Sequence, residues 1–254
     1  MNLSLTHLFK KDSLKKDEQK IYIYDTLINS LCIDKTLLVD KTNLISSQVG
    51  ALWKKIEESY SDRPYFNFSY LERLCRKYYS ESTEKKTFSQ PSIYLSTILS
   101  HVYFKNRRES VNERCFLISN VLRGLKLPEF KIERVNELIK CANSPLDTVE
   151  WTQREYMDLK FYSLFCDYGI FKLRQGLLIQ DRPPFLTKSE FILCLKSYYL
   201  QLIKKHNDLG LFNTIPYRQQ HEKLVFDNLT AYVAELDNLQ TSKKIANVTE
   251  ILNS

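Results

Sequence analysis

Residues 63–74 read RPYFNFSYLERL, and the helix they open sets the register for the rest of the chain. Pro64 fixes its own φ and lacks an N–H, so it breaks any preceding helix, and the helix restarts near Asn67. The stretch therefore predicts a break at Arg63-Pro64 and a helix over about 67–79.

Outward from it the same three- and four-residue spacing recurs. Ile21, Tyr24, Leu27, Ile28, Leu31 and Cys32 predict a helix over about 17–33, and Val49, Leu52, Trp53 and Ile56 another over about 46–60. Helices are expected downstream at about 92–104, 110–125 (stopped by Gly124 and Pro128), 130–142 (stopped by Asn143-Ser144-Pro145) and 148–173. The loop RQGLLIQDRPP follows, then helices at about 187–207 and 216–240. With only 5 Gly and 7 Pro in 254 residues, tight glycine turns are scarce and a β-rich fold is disfavoured. The expectation is an all-α chain, one bundle of about eight or nine helices over residues 17–240. A flexible basic segment at 1–16 precedes it and a tail at 241–254 follows.

Composition narrows the function classes. A hydrophobic fraction of 43% suits a sizeable core, and no apolar run reaches the roughly 18 to 20 residues of a membrane span. Cys32, Cys75, Cys115, Cys141, Cys166 and Cys194 contain no CxxC pair and sit among apolar neighbours, so they read as small buried hydrophobes in a reducing compartment. N-x-S/T triplets begin at Asn2, Asn67, Asn228 and Asn247; with no signal peptide before them they read as chance matches. The start MNLSLTHLFKK resembles a mitochondrial presequence only in its lysines, because acids follow at Asp12, Asp17 and Glu18 and no arginine precedes Arg63. A cytoplasmic location is expected, with mitochondrial and nuclear locations left open. The net charge of +7 is dispersed in pairs such as Lys54-Lys55 and Arg107-Arg108, a pattern that suits a solvated surface better than a nucleic-acid groove. Phosphate-loop, dinucleotide, HExxH and GxSxG motifs are absent. His7, His101, His206 and His221 are too dispersed to suggest a metal site of their own.

The landmarks, in order, are RPYFNFSYL (63–71), LSHVYF (99–104), NER (112–114), ERVNELI (133–139), FCDYGIF (165–171), LFNTI (211–215) and FDNL (226–229). Together they resemble the small HD-superfamily proteins identified as metal-dependent phosphohydrolases. There the corresponding segments read R-x-Y-H-N-x-x-H, W-F-H-D, N-E-x-x-S-A, E-R-V-x-x-L-I and L-D-A-D-L. The resemblance implies an HD-type bundle and a site in which His and Asp ligands hold divalent ions that activate water against phosphorus.

At the family's ligand positions this chain departs from the pattern. The two histidines of the first segment fall at Phe66 and Tyr70, the His-Asp pair at Ser100 and His101, and only Asp167 survives. Phenyl and phenol side chains offer an ion nothing, and a catalytic metal takes about three protein ligands. The implied protein is catalytically inactive, without metal or cofactor, with Phe66 and Tyr70 packed into the former metal cavity beside Ser100, His101 and Asp167. Its role would be a binding or scaffold subunit with a protein partner. Two alternatives stand beside it: a divergent phosphohydrolase using His101, Asp167 and a new ligand such as Glu113 on a nucleotide or small phosphomonoester, and a basic RNA-associated subunit. The plainest alternative is that these aromatics simply serve a helical core, with His101 a boundary histidine and Asp167 the partner of a basic residue.

Overall fold

The computed structural model describes residues 12–33, 35–40, 43–81, 90–142 and 150–252. Expectations that fall on residues 1–11, on residues 82–89 of the polar stretch ESTEKKTFSQ (81–90), expected to be a loop, and on the Asn143-Ser144-Pro145 stop lie outside the described residues. Those described contain ten α-helices and no strand. They are α1 (Asp12–Leu31), α2 (Leu44–Tyr60), α3 (Phe68–Glu81), α4 (Gln90–Leu99), α5 (Val111–Gly124), α6 (Glu129–Cys141), α7 (Trp151–Tyr162), α8 (Tyr168–Gln180), α9 (Lys188–Leu209) and α10 (Ile215–Leu252). A 3₁₀ turn, Lys35–Leu38, links α1 towards α2. No described helix is long and apolar enough to cross a membrane.

Two compact units contain these helices, residues 1–160 and 161–254. The single body expected over 17–240 rested on the absence of a linker. The division needs none, because it falls inside α7, between Lys160 and Phe161.

In the first unit α4 is the central helix, packed by α1, α3 and α6. Its sequence QPSIYLSTIL is buried on nearly every side, as expected of a helix apolar all round. Pro91 occupies the first turn, where its missing N–H is harmless. Ser96 and Thr97 return their hydroxyls to Ser92 O (2.7 Å) and Ile93 O (2.8 Å), so these small polar groups enter the core already bonded. Ile23, Leu27, Ile56, Leu71, Leu74, Val135 and Leu138 are buried in the same unit. The second unit is α8, α9 and α10 with the end of α7, packed around Phe161, Phe171, Tyr199, Phe212, Val225 and Leu229.

The helices differ from expectation in five places. α1 begins at Asp12, inside the segment expected to be flexible, and α10 runs to Leu252 through the expected tail, since nothing between Gln240 and Leu252 breaks a helix. The helix expected over 92–104 ends at Leu99, because the Glu109 carboxylate takes the N–H groups of Phe104, Lys105 and Asn106. The helix expected over 148–173 is two, α7 and α8. Arg174 Nη1 donates to Ser163 O (3.3 Å) and Asn228 Nδ2 to Cys166 O (2.7 Å), which satisfies the broken backbone between them. The RQGLLIQ part of the expected loop is instead helical up to Gln180. All six cysteines are free thiols, but Cys32 and Cys194 are exposed, contrary to the expected burial: Cys32 lies past the end of α1 at Leu31, at a positive φ, and Cys194 faces outward from α9.

Candidate functional site

The segment Arg63–Asn67 is held by its own asparagine. Asn67 Oδ1 accepts from Tyr70 N (3.0 Å) and caps α3, while its Nδ2 donates to Pro64 O (3.1 Å) and Arg63 O (3.4 Å). This clasp fixes Phe66 and Tyr70 against the end of α4. The rings of Phe66 and His101 stack at 3.8 Å with 25° between planes, and Tyr70 meets His101 edge-on at 6.2 Å. Tyr70 is buried, as expected, whereas Phe66 and His101 are only half-buried.

The carbonyls at the C-terminal end of α4 account for the polar groups around this stack. Ser96 O accepts from Tyr156 Oη (3.3 Å), Ile98 O from Tyr60 Oη (2.6 Å) and Leu99 O from Val102 N (3.2 Å). Ser100 O takes Arg114 Nη1, and His101 O takes Arg63 Nη1 at 3.3 Å. Lys160 Nζ donates to Ser100 Oγ at 3.0 Å, and that hydroxyl donates to Thr97 O at 3.1 Å. Helix C-terminal carbonyls lack intrahelical partners and carry partial negative charge, so phenols and cations belong there. Arg63 lies over Phe66 (4.7 Å) and Tyr103 (5.5 Å), and Arg114 over Tyr103 (4.7 Å).

Four of the five residues singled out in the sequence, Phe66, Tyr70, Ser100 and His101, thus meet at one helix terminus. Asp167 belongs to the second unit, where it is exposed at the N-cap position of α8 without a side-chain capping bond. Glu113, the ligand candidate of the enzyme alternative, pairs with Lys105 at 2.7 Å. Among the described residues, no group of three or more His, Cys, Asp or Glu is placed to hold a metal ion. Lys160 was missed in the sequence. Its only signal was a cation four residues after Tyr156, beside the apolar face of α7.

Burial holds the His101 imidazole well below its ordinary value, and Lys160, Arg63 and Arg114 add to the effect. The ring is therefore neutral at physiological pH, and its NMR resonances are expected to keep the neutral form as pH falls through the ordinary histidine value of 6.5. Burial likewise brings the Lys160 ammonium down to about 8, against the raising influence of Cys141 and Cys75, whose own thiols burial pushes up to about 12. Between about 8 and the ordinary lysine value of 10.5, the unfolded chain holds a proton that the folded chain has lost. Charged Lys160 is thus a penalty in full below about 8 that fades as pH rises. The stability difference between Lys160→Met and the unaltered protein should shift in favour of the unaltered protein as pH rises through this window. Chemical denaturation at several pH values measures it.

No family model, curated protein or solved structure matches this chain.

Proposed function

We propose that this chain is a non-catalytic, HD-like helical protein that serves in the cytoplasm as a binding or scaffold subunit of a larger assembly. One observation carries the reading: Phe66 lies face to face with His101 at 3.8 Å, at two positions where the HD resemblance expects metal-site residues. A phenyl ring there supplies no lone pair and covers the imidazole face, and three cations surround the same histidine, so a divalent ion would meet repulsion rather than carboxylates. A helical bundle without this chemistry keeps its surfaces for partners. Ile170 and Leu173 stand exposed on α8, apolar side chains of the kind a protein partner covers.

Metal analysis of purified protein, combined with a screen of phosphorylated compounds in added Mn, Mg or Co, tests the reading. The expected result is no stoichiometric divalent ion and no turnover. A bound ion together with phosphatase activity that is lost in Asp167→Ala would replace this reading with the divergent phosphohydrolase. Co-purification of the protein from its host with a stoichiometric protein, rather than with RNA, is expected for a subunit of an assembly.

A further inference from the structure

A cavity of about 550 Å³ opens in the second unit between α8 and α10, with Lys172, Gly176 and Ile179 on one wall and Tyr232, Glu235 and Leu236 on the other. On α8 these residues stand four and three apart, and on α10 Tyr232 and Leu236 stand four apart, so each helix turns one ridge to the cavity. Gly176 is the gap in the first ridge: a Cβ there would meet nothing within 4 Å. Glycine inside a helix costs stability, and no described neighbour requires it at this position. Tyr232 is 7% exposed, its ring edge-on to Phe171 at 5.6 Å and to Tyr199 at 6.1 Å. Among the described residues its hydroxyl has no hydrogen-bond partner, whereas a buried phenol ordinarily has one. Burial, and after it the Glu235 carboxylate, raises the pKa of this phenol, so the hydroxyl stays protonated and can donate. The charges in the walls are spent on each other: Lys172 Nζ lies 2.7 Å from Glu235 Oε2, and Glu235 Oε1 accepts from Tyr168 Oη at 2.8 Å. The walls are thus mainly apolar and electrically balanced, and Tyr232 has a hydrogen bond to give.

We infer that this cavity binds an uncharged, mainly apolar small molecule carrying a hydrogen-bond acceptor of the carbonyl type. Its apolar body lies over Gly176, Ile179 and Leu236, and its acceptor meets the Tyr232 hydroxyl. Small-molecule sites hold roughly 300 to 1,000 Å³ and combine apolar walls with a few placed polar groups, as this one does. An ionic ligand is disfavoured, because the Lys172–Glu235 pair has no net charge to set against the cost of desolvating it. From Lys172 to Ile179 the first wall runs about 10 Å, the length of a small molecule. The inference goes beyond the non-catalytic reading and does not depend on it, since all of these residues belong to the second unit.

The test titrates the full chain with prodan, an uncharged naphthalene ketone whose emission shifts to the blue in an apolar site. Saturable binding of one molecule per chain is expected, insensitive to added sodium chloride. Gly176→Leu, whose Cβ enters open space, is expected to weaken it about tenfold or more by filling the cavity. Gly169→Leu is the control: Gly169 is equally open, stands on the same helix and lies outside the cavity lining, so binding should be unchanged. Tyr232→Phe keeps the ring and is expected to weaken prodan about fivefold, while competition by naphthalene, which lacks the carbonyl, stays the same. Circular dichroism and thermal unfolding check that each variant is folded. No saturable binding, or binding that Gly176→Leu leaves intact or Gly169→Leu removes equally, overturns the site. Equal effects of Tyr232→Phe on the two probes overturn the acceptor. If prodan does not bind but Gly176→Leu loses a protein that co-purifies with the chain, the groove belongs to that partner and the small-molecule site is overturned as well. None of these outcomes alters the result of the metal analysis, so the two readings fail separately.

Discussion

Glu109→Ala is expected to destabilise the first unit by about 3 kcal/mol. Glu109 is 7% exposed, and its carboxylate accepts from three successive backbone donors, Phe104 N (3.3 Å), Lys105 N and Asn106 N (3.0 Å). Alanine leaves those N–H groups without an acceptor in a loop that must turn sharply between α4 and α5. Charge-assisted bonds are worth more than neutral ones, and each stranded donor costs roughly 1 kcal/mol or more. Glu109→Gln keeps one side-chain acceptor oxygen and is expected to lose about half as much. Urea denaturation of the three proteins side by side measures the series. Equal losses for Gln and Ala, or a loss below about 1 kcal/mol for Ala, would show that the carboxylate does not hold this loop.

Glu222→Ala is expected to cost the second unit a similar amount, about 3 kcal/mol, for a related reason. The loop between α9 and α10 turns at Gly210, whose φ of 86° with ψ of 150° is open essentially to glycine alone. Leu211 and Phe212 then dive into the core, and charged side chains serve their backbone. Leu211 N donates to Glu222 Oε1 at 2.7 Å, Lys205 Nζ to Leu211 O at 3.0 Å, and Arg218 Nη2 to Phe212 O at 2.8 Å. Glu222 also lies 2.8 Å from His206 Nδ1 and 3.5 Å from Arg218 Nε. Removing it strands a buried amide and leaves His206 and Arg218 without their carboxylate partner. Glu222→Gln is expected to recover part of the loss through its carbonyl oxygen. Near-neutral behaviour of Glu222→Ala in thermal and urea unfolding would contradict this account.

Both predictions concern buried carboxylates that sequence reading passed over. Glu109 sits in the charged connector KNRRES, and Glu222 in the polar run RQQHEK. Each is one acid among many charges, with nothing local to mark it as buried. The signal in each case is the backbone it serves, and for Glu222 that backbone lies eleven residues away, at Leu211 just after Gly210.

The candidate site divides in the same manner. Phe66, Tyr70, Ser100 and His101 could be placed together from the resemblance, and they do meet. Arg63 and Arg114 lay within the quoted motifs but had no assigned role, and Lys160 was not singled out. Their placement depends on bonds to the end of α4 across 38, 14 and 60 residues.

The sequence alone determined that the chain is helical, and it located most helices, because three- and four-residue apolar spacing and stop signals such as Gly124-Pro128 act within a few residues of themselves. It also placed the break at Arg63-Pro64 and the helix restart near Asn67, since Pro64 acts on its immediate neighbours. Only the tertiary structure decided where α4 stops, that α7 and α8 are separate, and which thiols reach the surface. In the first two cases a side chain distant along the chain or across a turn offers the backbone a better partner than the next helical turn does. Local periodicity carries no record of such partners, so the cations around His101 became visible only when α3, α5 and α7 were folded against α4.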